Sequence, residues 1–208
     1  NNQTPILILN GLGGIGKTQI AREYFKRTSE RYQIRLWLNA SSRDILSAEV
    51  SMLTEKLGLS GTEDKKEQNH FTLLKDWLKE QKLWLLVLDH LSDMELLKEI
   101  VPIECQGHVL LTTRTREGED PASVLSIERM SSEAGTLFLL HRAGMLTREE
   151  ALEEAPTDLT KQAKEIVQVL DGFPLAIDQA GAYIEETRCS LENYLSLYQR
   201  GKSELLGR

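Results

Sequence analysis

Eight residues near the start of the chain, Gly11-Leu-Gly-Gly-Ile-Gly-Lys-Thr18, have the types and spacing of a phosphate-binding loop. In the pattern GxxxxGK[ST] the glycines let the chain curl with its N–H groups pointing inward, and a following helix adds its partial positive charge. Lys17 is then expected to bridge the β- and γ-phosphates, and the Thr18 hydroxyl to bind Mg²⁺. The loop therefore predicts a nucleoside di- or triphosphate site. The alternative is a flexible glycine-rich turn that contains a lysine.

A carboxylate follows the most apolar run of the chain. Leu83 to Leu88 is typical of a buried central strand, and Asp89 stands at its carboxyl end. An aspartate there can hold Mg²⁺, usually through water. The alternative is an aspartate that caps the next helix, but the phosphate loop favours the metal. Thr18 and Asp89 are therefore the predicted metal ligands.

Hydrolysis requires more than these two ligands, because active ATPases of this kind commonly place a second acid beside the aspartate to activate water. Here the neighbour is His90. A neutral imidazole can act as a base, but it offers less than a carboxylate in that position. We therefore expect slow hydrolysis at most, with Asp89 and His90 as the catalytic candidates.

Two further residues are less decisive by themselves. Arg114 ends a predicted strand and should emerge on the same edge of the sheet as the loop, where its planar fork suits a γ-phosphate. A surface arginine beginning a charged loop explains the segment equally well. Pro174, in Gly172-Phe-Pro-Leu-Ala176, locally indicates only that one helix stops and another starts.

The elements that must position these residues alternate between strand and helix. Apolar runs predict five strands, and apolar residues at helical spacing lie between them. The predicted strands are Ile6 to Leu9, Ile34 to Leu38, Leu83 to Leu88, Val109 to Thr113 and Val124 to Ile127. Gly58 to His70 is polar and reads as a mobile loop.

From Ser131 the strand signal disappears, and the apolar spacing indicates four helices. Strands alternating with helices, followed by helices alone, predict an α/β fold. We expect a five-stranded parallel-sheet P-loop NTPase domain over residues 1–129. A small all-α subdomain of four helices should follow over residues 130–208.

Composition excludes several classes of protein. The net charge of −7 gives nucleic acid no general reason to bind. No apolar run approaches the roughly 18 residues that a membrane span needs, and no signal sequence is evident, so we expect a cytoplasmic location. The two cysteines, Cys105 and Cys189, are far apart and predict neither a disulfide framework nor a zinc site.

Five motifs in order, GLGGIGKT, RLWLNAS, LWLLVLDH, VLLTTR and GFPLA, resemble the NB-ARC branch of the STAND P-loop NTPases. These are nucleotide switches of plant resistance proteins, apoptosome scaffolds and NOD-like sensors, and the motifs span nearly the whole chain. The pair Asp89–His90 departs from the family's usual Asp-Asp. The resemblance implies that Arg114 senses the γ-phosphate and that Pro174 lies at the adenine. It also supplies the preference for ATP/ADP over guanine nucleotides.

Under this resemblance, the nucleotide-binding residues are Gly11, Gly13, Gly14, Ile15, Gly16, Lys17, Thr18, Gln19 and Pro174. Family members hold ADP in a closed form and exchange it for ATP, opening to form homo-oligomers and recruit an effector in immune-type signalling. An arginine-containing adenine motif would precede Asn1, and a winged-helix subdomain would follow Arg208. The expected partners are therefore adenine nucleotide, other domains of a longer chain and further copies of it.

Other functions remain open at this stage. A catalytically active ATPase is the main alternative, and a small-molecule kinase is disfavoured because no arginine-rich lid is apparent. Some bacterial relatives regulate transcription, but the acidity of this chain argues against nucleic acid.

Overall fold

The computed structural model describes residues 4–59, 69–114 and 123–206, with side chains through residue 201. The chain divides into two compact units, Asn1–Ile127 and Glu128–Arg208. Most of the predicted loop from Gly58 to His70 lies outside the described residues, and so does the segment 115–122. His70 is already the first residue of a helix.

A parallel sheet forms the centre of unit 1, and its described part has five strands in the order β2-β3-β4-β1-β5. The predicted five-stranded parallel sheet is therefore confirmed. The strands are β1 (Ile6–Asn10), β2 (Ile34–Asn39), β3 (Lys82–Asp89), β4 (Gln106–Thr113) and β5 (Val124–Ser126). The helices are α1 (Lys17–Arg27), α2 (Arg43–Lys56), α3 (His70–Glu80) and α4 (Glu95–Ile100).

The sheet is buried on both faces, which explains the continuous apolar run of β3. Successive side chains of a strand point to opposite faces. Accordingly Trp84, Leu86 and Leu88 pack in one cluster with residues of α2, α3 and α4. Leu85 and Val87 pack in another with Ala21 of α1. A helical layer on each side is the arrangement that parallel sheets require.

Parallel pairing brings the carboxyl ends of the central strands to one edge. Asn10 at the end of β1 pairs with Thr113 at the end of β4, and Leu88 of β3 pairs with Leu111 of β4. The segments after these strands therefore leave the sheet together. In open α/β sheets, ligands bind in the crevice outside these carboxyl ends.

Unit 2 has four α-helices among its described residues, as predicted: α5 (Ser132–Arg142), α6 (Thr157–Val169), α7 (Pro174–Thr187) and α8 (Leu191–Leu206). A 3₁₀ turn at Leu152–Glu154 was not predicted. Helices α5 and α7 approach closely at Gly181, where a Cβ atom would lie 2.7 Å from the Cβ of Arg142. Leu139, Ile166 and Ile177 are fully buried in the core between the helices.

None of the helices in the described ranges is long and apolar enough to cross a membrane.

The closest packing in the sheet predicts a measurable loss of stability. A Cβ at Gly107 of β4 would lie 2.0 Å from Cε2 of Trp84. This indole is fully buried, and its Nε1 donates to the Leu78 carbonyl. Because neither strand nor ring has space to move, Gly107→Ala should lower the free energy of unfolding by about 1–3 kcal/mol or more. Urea denaturation measures this change.

Gly201→Ala is the matched control for that substitution. Gly201 lies in α8 with open space around its Cβ position, so alanine should stabilise the helix by about 0.5–1 kcal/mol. An unchanged unfolding midpoint for Gly107→Ala would contradict the packing argument.

Candidate phosphate- and metal-binding site

The predicted phosphate loop connects β1 to α1. Gly16 is the N-cap of α1, with φ 100° and ψ 7°, and no side chain caps the helix. Glycine adopts this left-handed backbone without strain, and a Cβ at Gly16 would meet nothing within 4 Å. The start of α1 therefore has no side-chain cap and has open space beside it, as an anion site at a helix N-terminus requires.

Lys17 is held over this loop. Its side chain is buried, and Nζ donates to the carbonyl oxygens of Gly11 at 2.7 Å and Leu12 at 2.8 Å. Burial lowers the pKa of Lys17 below its usual value, and the nearby charge of Arg114 lowers it further, whereas Asp89 opposes the shift. The ammonium thus lies near another cation, and an anion placed there would relieve the repulsion.

A carboxylate joins helix α1 to the sheet. Oδ1 of Asp89, at the end of β3, accepts hydrogen bonds from the Thr18 hydroxyl at 2.8 Å and the Thr112 hydroxyl at 2.7 Å. Asp89 is 5% exposed, so this carboxylate is nearly removed from bulk water. Buried polar groups of this kind need their hydrogen bonds satisfied.

His90 follows Asp89 in a left-handed backbone conformation with φ 63°. Its N–H donates to Oγ1 of Thr112 at 2.8 Å. The imidazole is half-exposed, and its Nε2 lies 3.6 Å from Oδ2 of Asp89. The ring therefore lies beside the carboxylate, at a distance longer than a hydrogen bond.

Arg114 leaves the end of β4 and reaches the phosphate loop. A Cβ at Gly13 would lie 3.0 Å from both Cζ and Nη2 of Arg114. The guanidinium therefore lies directly against the loop backbone, and any side chain at position 13 would push it away. The absence of a side chain at Gly13 lets this cation approach.

A cavity of about 380 Å³ lies beside these groups, lined by Lys17, Ser41, His90, Leu91, Ser92, Thr112, Thr113 and Arg114. The cations Lys17 and Arg114 and the hydroxyl groups of the serines and threonines line one space. Positive charge and hydrogen-bond donors of this kind suit a phosphate group. Across the described ranges no cluster of three or more His, Cys, Asp or Glu side chains could hold a metal ion. A cation at Thr18 and Asp89 would therefore take its other ligands from phosphate and water. Mg²⁺ is commonly bound in this way, by one or two protein oxygens.

Most of the sequence-predicted site residues meet in unit 1: the loop from Gly11 to Thr18, with Asp89, His90 and Arg114. Gln19 is exposed on the first turn of α1. Pro174 is the first residue of α7 in unit 2, and the start of that helix is where its local sequence placed it.

Neither Ser41 nor Thr112 was predicted to have a role at the site. Ser41 follows β2 and lines the cavity, whereas Thr112 contacts both Asp89 and His90. The sequence signal that could have identified both residues is their position: each lies at or just after the carboxyl end of a predicted parallel strand.

The sheet, the loop and the residues at its edge define a P-loop NTPase fold. The chain is similar to a chain in the structure of Drosophila ORC bound to DNA, with a TM-score of 0.57, 12% identity, and coverage of 97% of this chain and 62% of that one. It is also similar to the Thermotoga maritima RuvB Holliday junction branch migration motor, with a TM-score of 0.52, 12% identity, and coverage of 94% and 61%.

The chain belongs to the NB-ARC domain family, whose model matches residues 1–169. It is 27% identical to a nucleotide-binding leucine-rich repeat (NLR)-like protein of Hyaloscypha variabilis, over 92% of this chain and 21% of that protein. It is 26% identical to disease resistance protein RPP13 of Arabidopsis thaliana, over 83% of this chain and 22% of that protein. The resemblance seen in the motifs is thereby confirmed, and the chain spans about a fifth of the length of these relatives.

The environment of Lys17 predicts opposite effects of two substitutions on its pKa. Arg114→Gln removes a repelling charge and should raise the pKa of Lys17, whereas Asp89→Asn removes an attracting charge and should lower it further. An NMR titration that follows the lysine Cε resonances measures both shifts. Arg35→Gln is the control, because Arg35 packs over the Phe25 ring and is not one of the charges that shift the pKa of Lys17. Equal pKa values in all four proteins would contradict the arrangement.

Proposed function

We propose that the chain is an ATP/ADP-binding switch module of a larger signalling protein, in which the bound nucleotide controls conformation and assembly. The observation that carries this proposal is the placement of Arg114 against Gly13 of the phosphate loop. The Arg114 guanidinium at that point would contact the γ-phosphate of ATP, which ADP lacks. A ligand shifts a conformational equilibrium only through such differential contacts.

The phosphate end of the nucleotide is the best supported part. The N-terminus of α1 has no capping side chain. Lys17 supplies an ammonium group, and its lowered pKa shows that the site disfavours a cation without a neighbouring anion. The phosphates would compensate both. Gly11, Gly13, Gly14, Ile15, Gly16 and Thr18 would contact them through the backbone, with Gln19 on the adjoining turn.

Magnesium forms part of the same proposal. The Thr18 hydroxyl and the Asp89 carboxylate are 2.8 Å apart, oxygen to oxygen, and both are hard oxygen ligands that suit this ion. When bound, Mg²⁺ neutralises charge on the β- and γ-phosphates. Thr18 would bind it directly and Asp89 through water.

The adenine end depends on membership of the family. Pro174 begins α7 in unit 2, and we propose that it contacts the adenine. Exchange of ADP for ATP, formation of homo-oligomers, an immune-type role and a cytoplasmic location belong to the same proposal. The names of the relatives, which include disease resistance proteins, support the signalling context.

An active ATPase is the second candidate function. The observation in its favour is the half-exposed His90 ring, which lies in the cavity with Nε2 3.6 Å from Asp89. Such an imidazole can accept a proton from water. Steady phosphate release well above background, abolished by Asp89→Ala, would favour this candidate over a switch that holds its nucleotide.

Loss of the Lys17 ammonium tests nucleotide binding itself. Lys17→Ala should weaken ADP and ATP binding by about 10- to 100-fold or more, because charge-assisted hydrogen bonds to phosphate are lost. Isothermal titration calorimetry measures the affinities. Lys26→Ala, an exposed site in the last turn of the same helix, should leave them unchanged. Equal affinities for the Lys17 variant and the unchanged protein would refute the proposed site.

Removal of Arg114 tests the switch rather than binding alone. Arg114→Ala should weaken ATP binding by about tenfold and change ADP binding little, since a bidentate contact to the γ-phosphate is lost. The ratio of the two affinities is the measurement. Arg35→Ala, on β2, serves as the matched arginine control. An equal loss for both nucleotides would show that Arg114 does not distinguish them.

A further inference from the structure

Thr112, near the end of β4, makes an unusual set of contacts beside the site. Its side chain is fully buried. Its hydroxyl lies 2.7 Å from Oδ1 of Asp89 and 2.8 Å from the backbone nitrogen of His90. Its own carbonyl oxygen accepts from the N–H of Leu91 at 2.8 Å. One residue of β4 thus contacts three consecutive residues, the last of β3 and the two that follow it.

The roles of the atoms in these contacts follow from their chemistry. A threonine hydroxyl has one hydrogen to donate and lone pairs to accept. The backbone N–H of His90 can only donate, so the hydroxyl oxygen accepts from it. The single hydroxyl hydrogen is then free for Asp89 Oδ1, which as a carboxylate oxygen can only accept. The Thr112 hydroxyl therefore uses both its donor and an acceptor position, as a polar group in a buried network requires.

This network determines which oxygen of Asp89 accepts from the two hydroxyl groups. Oδ1 accepts from Thr112 and also from Thr18, whereas Oδ2 lies on the side of the His90 ring. Thr18 is partly exposed, whereas the Thr112 side chain is fully buried on a central strand paired on both sides. Thr112 is therefore the fixed one of the two hydroxyl donors.

The same hydroxyl also holds the backbone of His90. A positive φ is strained for a residue other than glycine and persists when surrounding contacts hold it. At His90 the φ angle is 63°, and Thr112 supplies hydrogen-bond acceptors for the N–H groups of both His90 and Leu91. The carboxylate and the N–H of His90 are thus held by one side chain, and the Leu91 N–H by the backbone carbonyl of the same residue.

We propose that Thr112 is a positioning residue, which orients the Asp89 carboxylate for a hydrated Mg²⁺ and fixes the turn at His90. The inference rests on the proposed nucleotide site. Thr112 lines the cavity, but its hydroxyl is engaged by Asp89 and by the N–H of His90, so we expect it to govern the contribution of the metal to nucleotide affinity. It does not govern the phosphate contacts of the loop, which involve other residues.

Thr112→Val tests the inference because it removes the hydroxyl and keeps the shape. The ATP affinity is measured by calorimetry with Mg²⁺ and with a chelator, and the ratio of the two is the readout. We expect this ratio to fall by about tenfold or more, as for loss of a hydrogen bond to a charged group. Affinity in the chelator should be unchanged. Thr112→Ser, which retains the hydroxyl, should restore the ratio.

A second readout is independent of the nucleotide. Hydrogen exchange of the His90 amide, followed by NMR, should be faster in Thr112→Val than in the unchanged protein and normal in Thr112→Ser. Thr54→Val is the matched control: Thr54 is also fully buried, and its hydroxyl contacts His70 and the Val50 carbonyl. This control should lower stability without changing the magnesium ratio.

The outcomes separate the two proposals. If the unchanged protein binds no nucleotide, the proposed function fails and this inference with it. If it binds with a magnesium-dependent affinity and Thr112→Val keeps the same ratio, only the positioning role is overturned. Should valine prevent folding, Thr112→Ala lacks the hydroxyl with less bulk and gives the same comparison.

Discussion

The hydrogen bonds to Oδ1 of Asp89 are the contacts on which the site depends. They join α1 through Thr18, β3 through Asp89 itself and β4 through Thr112. Because the carboxylate is buried, a missing donor would leave a charged oxygen without compensation, which is costly. The position of the helix that carries the phosphate loop is therefore tied to the central strands. The sheet makes this possible, since its clusters on both faces hold β3 and β4 in register.

Much of this arrangement could be predicted from the sequence, and the reason is physical. The strand Leu83 to Leu88 is buried on both faces, so its apolar run is unbroken, and the phosphate loop needs a particular series of glycines followed by Lys17 and Thr18. Patterns that have a local physical cause can be recognised in the sequence without knowledge of the fold. The four helices of unit 2 were predictable for the same reason, because each buries one stripe.

What the sequence did not predict depends on the order of the strands. Thr112 becomes important only because β4 is next to β3, with Leu111 paired to Leu88, and no local pattern encodes that neighbour. The contact of Arg114 with Gly13 likewise requires β1 to lie beside β4. The left-handed turn at His90 was also unforeseen, because a positive φ is uncommon for any residue except glycine, even though histidine adopts it more often than most. Strand order is a property of the whole sheet.

The uncapped start of α1 has a consequence for stability. A serine, threonine or aspartate at a helix N-cap typically contributes about 1 kcal/mol, and α2, α3 and α5 each have a capping side chain. Helix α1 begins instead at Gly16, and glycine at an N-cap costs only a few tenths of a kcal/mol relative to those residues. A capping oxygen would occupy the space that an anion needs. The empty helix start is thus slightly less stable than a capped one, and an anion seated there would take the place of the missing cap.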